Sequence, residues 1–95
     1  MKNDVGNVSS RVERLSEQMY QREAVLARTH ILRFADELYN NIDHSKEYFD
    51  QTLEDIDTYE SYCEAHKDFK NSRTVMAEQN IRETYDRLLK EHKFI

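Results

Sequence analysis

The first 26 residues place their apolar side chains at strictly alternating intervals of three and four. Six residues define this series: Val5, Val8, Val12, Leu15, Met19 and Leu26. Arg22 takes the one remaining position of the series. Because the pattern repeats every seven residues, the side chains form a narrow line along a helix, as they do in a coiled-coil seam. The chain is therefore expected to begin as a long amphipathic helix.

No strong helix breaker occurs before the pair Asn40 and Asn41. Pro is absent from the 95 residues and Gly occurs once, at Gly6, which disfavours the tight turns that sheets need. Ser10 and Glu13 fit a capping box, so the regular helix is expected to begin near residue 10. Asn tolerates the left-handed conformation that ends many helices. The first helix is therefore predicted from about residue 10 to about residue 41, roughly 48 Å in length.

Beyond residue 26 the apolar stripe widens, as is usual for helices that pack in globular bundles. The wider stripe consists of Ala27, Ile31, Phe34, Ala35, Leu38, Tyr39 and Ile42. Two further helices are predicted, at about residues 44–65 and from Asn71 or Ser72 to about His92. The predicted fold is all-α, with one long N-terminal helix packed on two others in a three-helix unit. Residues 1–95 form a single domain, with a heptad arm (1–26) and a helical body (27–95).

The apolar line of the arm predicts self-association. One small chain has no second coiled-coil strand to cover this line, so a second copy is the expected partner. Tyr20 lies beside the line in the sequence, and tyrosine is favoured at protein interfaces. The predicted contact residues are Val5, Val8, Val12, Leu15, Met19, Tyr20 and Leu26. The chain is thus expected to form a homo-oligomer through its N-terminal helix.

The middle of the chain carries most of the negative charge. The net charge is −5, and residues 43–68 contain nine acidic residues and two lysines. Seven of these acids recur at intervals of four and three, interrupted at Ser61: Asp43, Glu47, Asp50, Glu54, Asp57, Glu64 and Asp68. On one helix their carboxylates would form a row of roughly 37 Å opposite the apolar side. The row is either an ordinary solvated face or a contact surface for a basic protein partner.

The charge pattern also limits the partners. An acidic surface repels phosphate backbones and anionic membranes. No apolar run approaches the roughly 18–20 residues that span a bilayer, and the N-terminus lacks the hydrophobic segment of a signal peptide. We therefore predict no direct nucleic-acid binding, no membrane association and a cytoplasmic location.

The residues around Cys63 include types that occur in metal sites and in catalytic sites. Glu60, Cys63 and His66 follow i, i+3, i+6 spacing and are ligand types for zinc, but a structural site needs four ligands and no second pair stands nearby. Cys63 and His66 also resemble a nucleophile and base, yet the chain has no Gly-rich phosphate loop and little room for a walled pocket. We predict no enzyme activity, no metal and no cofactor, with Cys63 as a small buried residue.

The connector before the third helix carries a motif. Tyr62, Cys63, His66, Phe69 and Asn71 form a YC-x-x-H-x-[DE]-F-x-N pattern, and Phe94 and Ile95 form an aromatic–aliphatic pair at the end of the chain. Together with the heptad start, these residues resemble short helical proteins encoded by phages and prophages of Gram-positive bacteria. The resemblance implies a phage context, either in the host cytosol or in a virion, and no enzymatic activity. It assigns no functional residues.

Two functional hypotheses follow. The first is a non-enzymatic phage-type accessory or adaptor protein, which self-associates through the arm and contacts other proteins through its helical body. The second is an inhibitor that uses the acidic row as a nucleic-acid mimic to block a host nucleic-acid-binding protein, as an anti-defence factor.

Overall fold

The protein is a bundle of three helices. The computed structural model describes the backbone of residues 2–95 and the side chains of residues 10–95. Its elements are α1 (Lys2–Tyr39), α2 (Lys46–Ala65), a 3-10 turn (Lys67–Phe69) and α3 (Ser72–Glu91). No strand occurs between residues 2 and 95, and none of these helices is both long and apolar enough to cross a bilayer. The all-α, three-helix prediction is confirmed.

Helix α1 is 38 residues long and begins earlier than predicted. Ser10 lies inside the helix rather than at its N-cap, so the expected start near residue 10 is wrong. Before Ser10 the strongest helix-disfavouring residue is Gly6, and one glycine destabilises a helix by only about 1 kcal/mol. The helix therefore continues through the capping box. The other end is as expected: Asn41 adopts a positive φ of 62°, and the N–H groups of Asn41 and Ile42 bond to Leu38 and Glu37 carbonyls in a Schellman motif.

Side-chain caps define the starts of the other two helices. Ser45 accepts a hydrogen bond from the backbone N–H of Tyr48 at 3.2 Å, and Asn71 accepts one from that of Thr74 at 2.8 Å. Each cap satisfies a donor that the first turn of a helix leaves unpaired. The observed bounds of α2 and α3 therefore lie within two residues of those predicted from the sequence.

The second helix runs antiparallel to the first. His30 of α1 pairs with Asp55 of α2, whereas Glu17, earlier on α1, lies 3.3 Å from His66, which directly follows the last residue of α2. Helix α3 then returns in the direction of α1. The core that these helices enclose consists of Ala27, Ile31, Phe34, Phe49, Ile56, Tyr59, Cys63, Ala77 and Ile81.

Helix α1 extends well beyond this core. From residue 10 to residue 23 no side chain is buried, and among the described side chains Ala24 is the first on α1 with no exposed surface. The molecule measures 64 × 24 × 19 Å, and its long dimension reflects the single projecting helix. The body thus buries α1 from Ala24 onward on one side of the helix. The predicted boundary between arm and body at residue 27 stays a prediction.

Candidate interaction surface on the first helix

A line of large apolar side chains on α1 is left uncovered. Val12, Leu15, Met19 and Leu26 are 57–60 % exposed. We call these four residues, together with Arg22, the seam. Val5 and Val8, which belong to the same series in the sequence, lie outside the described side chains. Contiguous exposed apolar patches of this kind mark protein interaction sites more often than ordinary surface.

The seam is exposed because α1 has two separate apolar lines. One line, which contains Ala24, Ala27 and Ile31, is buried against α2 and α3. Met19 precedes Ala24 by five residues, which is about 140° of rotation around the helix. A body that covers the first line therefore cannot also cover the seam.

Tyr20 is placed differently from the rest of the predicted contact residues. It lies only about 40° from Ala24 around the helix axis, because the two residues are four positions apart. Its side chain is nevertheless 60 % exposed, as it lies on the part of α1 that precedes the buried residues. The structure therefore puts Tyr20 in line with the buried side of α1 and not in the seam.

The surroundings of the seam carry little net charge. In heptad terms the positions beside it are held by Arg11, Ser16, Gln18, Glu23 and Val25. Residues 1–26 as a whole contain four acidic and four basic residues, whereas residues 27–95 contain fifteen acidic and ten basic residues. The arm is thus neutral, and the whole excess of five negative charges lies on the body.

The seam ends in a shallow depression between α1 and α2. Its volume is about 340 Å³ and its lining residues are Glu23, Leu26, Ala27, His30, Asp55 and Thr58. At the edge of the depression, the Nδ1 atom of His30 on α1 lies 3.3 Å from the Oδ2 atom of Asp55 on α2, and this contact joins the two helices. Leu26 therefore belongs to both the seam and the surface of the body.

The connector after α2 holds α1 at the point where the helix leaves the body. The His66 ring stacks on Tyr62 with centroids 4.1 Å apart, and its Nε2 atom lies 3.3 Å from the carboxylate of Glu17. The Arg28 guanidinium lies 4.6 Å from the centre of the Phe69 ring. Several residues of the YC-x-x-H-x-[DE]-F-x-N motif thus have structural contacts that fix the direction of the arm.

The three residues considered as metal ligands have separate surroundings. Cys63 is 4 % exposed within the core, His66 faces Glu17, and Glu60 lies 3.3 Å from the Lys70 amine. Burial raises the pKa of the Cys63 thiol. Among the described residues no group of three or more His, Cys, Asp or Glu side chains converges as metal ligands would.

The acidic row is shorter on the structure than on the sequence. Asp43 precedes α2 and Asp68 lies in the 3-10 turn, because the Ser45 cap begins the helix and Ala65 ends it. Within α2 the row runs from Glu47 to Glu64, roughly 26 Å. The exposed members on α2 are Glu47, Glu54, Asp57 and Glu64. Asp50 is half-buried and pairs with Lys46 at 2.9 Å.

A pair of carboxyl groups between α2 and α3, buried Glu78 and partly exposed Glu60, was not identified in the sequence. Glu78 is 6 % exposed, and burial together with hydrogen bonding to Glu60 raises its pKa to about 8. Glu60 keeps its charge, since the hydrogen bond from Glu78 and the nearby Lys70 amine lower its pKa. Glu78 lies on the apolar line of α3, since the line runs through Thr74, Glu78, Ile81 and Tyr85 at intervals of four, three and four residues. This spacing could have indicated that Glu78 is buried.

A mixed cleft occupies the opposite end of the body from the arm. Its volume is about 440 Å³, and its lining includes Leu38, Ile42 and Leu88 together with Arg87 and Lys93. The Arg87 and Lys93 nitrogens lie 3.7 and 3.9 Å from the Glu91 carboxylate, so both cations already have an acidic neighbour. Of the residues that the sequence singled out as site candidates, only Asp43 is among the lining residues of this cleft.

No family model matches the chain, and comparisons with curated proteins and with solved structures found no significant similarity. Among the described surfaces, the seam is the one that the fold of a single chain explains least, because four of its large apolar side chains are more than half exposed.

Proposed function

We propose that this protein is a non-enzymatic accessory or adaptor protein that self-associates through the seam on α1. The observation that carries the proposal is the row formed by Val12, Leu15, Met19 and Leu26, each more than half exposed on an arm with no net charge. Leaving such a row in water is unfavourable, and a second α1 helix has the matching heptad spacing to cover it.

The expected affinity is moderate. Full burial of a Val, Leu or Met side chain contributes roughly 1.5–3 kcal/mol, so side chains that are about 60 % exposed gain roughly 1–2 kcal/mol each. Eight such side chains in a dimer give roughly 8–16 kcal/mol, against a cost of association of about 4–15 kcal/mol. The difference between these two ranges includes the roughly 8 kcal/mol that corresponds to a micromolar dissociation constant.

The body would then be the part that contacts other proteins. A pair of arms leaves both bodies free, each with the acidic residues of α2 turned to solvent. The resemblance to phage-encoded helical proteins supports a role in a phage context, as a virion component or as an adaptor in the host cytosol. Partners with basic surfaces would meet complementary charge on α2.

The test is the molecular mass in solution. Light scattering over a range of micromolar concentrations should show a concentration-dependent dimer or larger species, and Leu15→Asp should convert it to monomer. Gln21→Asp introduces the same charge on an exposed position outside the seam and should leave association unchanged. A parent protein that is monomeric at every concentration, with no change on Leu15→Asp, would remove the proposal.

A second candidate function is the acidic inhibitor of a basic, nucleic-acid-binding protein. It is favoured by one observation: among residues 10–95 no cationic nitrogen lies within 4.0 Å of the carboxylates of Glu47, Glu54, Asp57 or Glu64. Such carboxylates are available to replace phosphates in a basic cleft, in a salt-sensitive manner.

This second function is tested by competition with DNA. The parent protein should release host DNA-binding proteins from immobilised DNA, and the triple variant Glu54→Lys, Asp57→Lys, Glu64→Lys should not. The triple variant Asp36→Lys, Glu83→Lys, Asp86→Lys makes the same charge change at exposed positions of α1 and α3 and serves as the control. Equal release by the parent and the α2 variant would identify the row as an ordinary solvated face.

A further inference from the structure

We infer that the partner of the seam is a second copy of this chain running in the opposite direction, with Leu15 of one copy beside Met19 of the other. This inference rests on the proposed self-association and adds its orientation and register. The pairing is centred near residue 17, so that the described part of the seam from Val12 to Arg22 lies symmetrically about a two-fold axis.

The distribution of charge favours this orientation. The seam ends at Leu26, which already lies on the surface of the body. A parallel pair would therefore bring two bodies side by side, each with an excess of five negative charges. An antiparallel pair places the bodies at opposite ends of the joined arms, where solvent and salt screen their repulsion.

Arg22 favours the same orientation. In a parallel pair each seam position faces its own copy, so two Arg22 guanidinium groups would meet across the interface. In the antiparallel register Arg22 faces Val12 of the second copy, and its aliphatic stem covers that valine while the charge reaches solvent. The two arginines are then ten residues apart along the helices, roughly 15 Å, which exceeds the screening length in physiological salt.

The residues nearest the two-fold axis are compatible with close approach of the helices. In this register Ser16 faces Ser16 of the second copy on one side of the seam, and Gln18 faces Gln18 on the other. Both residues are uncharged, and both are at least partly exposed in the single chain. No like charges therefore meet at the centre of the interface.

Site-directed disulfide cross-linking tests the orientation. Val12→Cys and Arg22→Cys are prepared as separate variants, and the buried Cys63 is left in place, with the parent protein as its control. In the antiparallel register a mixture of the two variants should form a covalent dimer on mild oxidation, while each variant alone should not. Gln21→Cys mixed with Val12→Cys is the matched control outside the seam.

The remaining outcomes of cross-linking and of the mass measurement separate the alternative arrangements. Cross-linking of Val12→Cys with itself would establish a parallel pair and overturn the inference while keeping self-association. A dimeric mass with no cross-linking in any combination would overturn this register. A monomeric mass throughout would remove the proposed function as well, so the two failures are distinguishable.

A distance measurement provides an independent check. A spin label attached at position 10 through Ser10→Cys lies on an exposed part of α1. In the antiparallel register the two labels are offset by 14 residues along the helix axis, roughly 21 Å, whereas in a parallel pair they lie at the same level. A short distance that reflects only the width of two helices would contradict the antiparallel arrangement.

Discussion

Glu78 is the residue whose chemistry departs most from its ordinary state. It occupies an apolar position of α3, where burial, and after it hydrogen bonding to Glu60 of α2, raises the pKa of its carboxyl group. Its Oε1 atom is buried without a hydrogen-bond partner among the described residues. Ionisation of Glu78 would place a second negative charge beside Glu60, so the pair links the stability of the α2–α3 contact to pH.

The pH dependence has a definite sign. The pKa of Glu78 rises from the ordinary 4.5 to about 8 in the folded protein, so the folded state binds the proton more strongly than the unfolded state does. The stabilising contribution is therefore complete below about pH 4.5 and is lost as the pH rises towards about 8. The free energy of unfolding, measured by urea denaturation at pH 5, 7 and 9, should fall over this range.

Glu78→Gln should remove this part of the dependence. The amide keeps a hydrogen-bond donor towards Glu60 but cannot ionise, so at pH 9 the variant should be more stable than the parent by at least about 1.4 kcal/mol, the equivalent of one pKa unit. Glu83→Gln, at an exposed position of α3, is the control. A Glu78→Gln variant with the same pH slope as the parent would show that Glu78 is not protonated in the folded state.

The buried thiol of Cys63 is expected to react slowly with reagents in solution. Its thiol is buried and its pKa is raised, so little reactive thiolate reaches solvent. The folded protein should react with an aromatic disulfide reagent many times more slowly than the same chain in denaturant, as followed by absorbance. A rate equal to that of the denatured chain would mean that α2 opens freely around Cys63.

Single residues were only partly predictable from the sequence. The heptad spacing of Val12, Leu15, Met19 and Leu26 is visible in the sequence, and these side chains are more than half exposed in the structure. Their self-association stays a prediction. Glu78 was not identified, because glutamate on an amphipathic helix is normally solvated and only its neighbours reveal the buried line. Its protonated state depends on Glu60, which a different helix supplies.

At the scale of the elements, helix starts depend on side-chain caps. The Asn71 carboxamide oxygen accepts hydrogen bonds from both the N–H and the hydroxyl group of Thr74, each at 2.8 Å. Asn71→Ala should therefore destabilise the protein by about 1 kcal/mol, the usual cost of losing an N-cap. Urea denaturation measures the change, and Ser72→Ala, one residue later in the first turn, is the control. Equal stability of both variants would mean that the cap contributes nothing.

The ends of the helices were predictable where the chain gives a local chemical signal. Ser45, Asn41 and Asn71 each supply a cap or a left-handed residue, and the bounds near them agreed with the structure. The start of α1 was not predictable from Ser10 and Glu13, because a capping box stops a helix only if the preceding residues prefer another conformation. The residues before Ser10 instead continue the helix to Lys2.

On the scale of the whole molecule, the body should fold without the projecting part of α1. No side chain from residue 10 to residue 23 is buried, and the contact between Glu17 and His66 marks the edge of the body. A chain lacking residues 1–16 should keep its helical circular dichroism and unfold cooperatively within a few degrees of the parent, measured at low concentration. It should also be monomeric by light scattering. Loss of folding on truncation would mean that the arm stabilises its own body.

The continuity of α1 has a mechanical consequence. Because one unbroken helix carries both the seam and the buried line of the body, the angle between a bound partner and the body is fixed by the number of residues between them. One inserted residue near position 21 would turn the body by about 100° and advance it by about 1.5 Å, whereas seven would extend the protein by about 10 Å and nearly restore the angle. Changes in length that preserve the assembly are therefore those that nearly complete whole helical turns, such as seven or eleven residues.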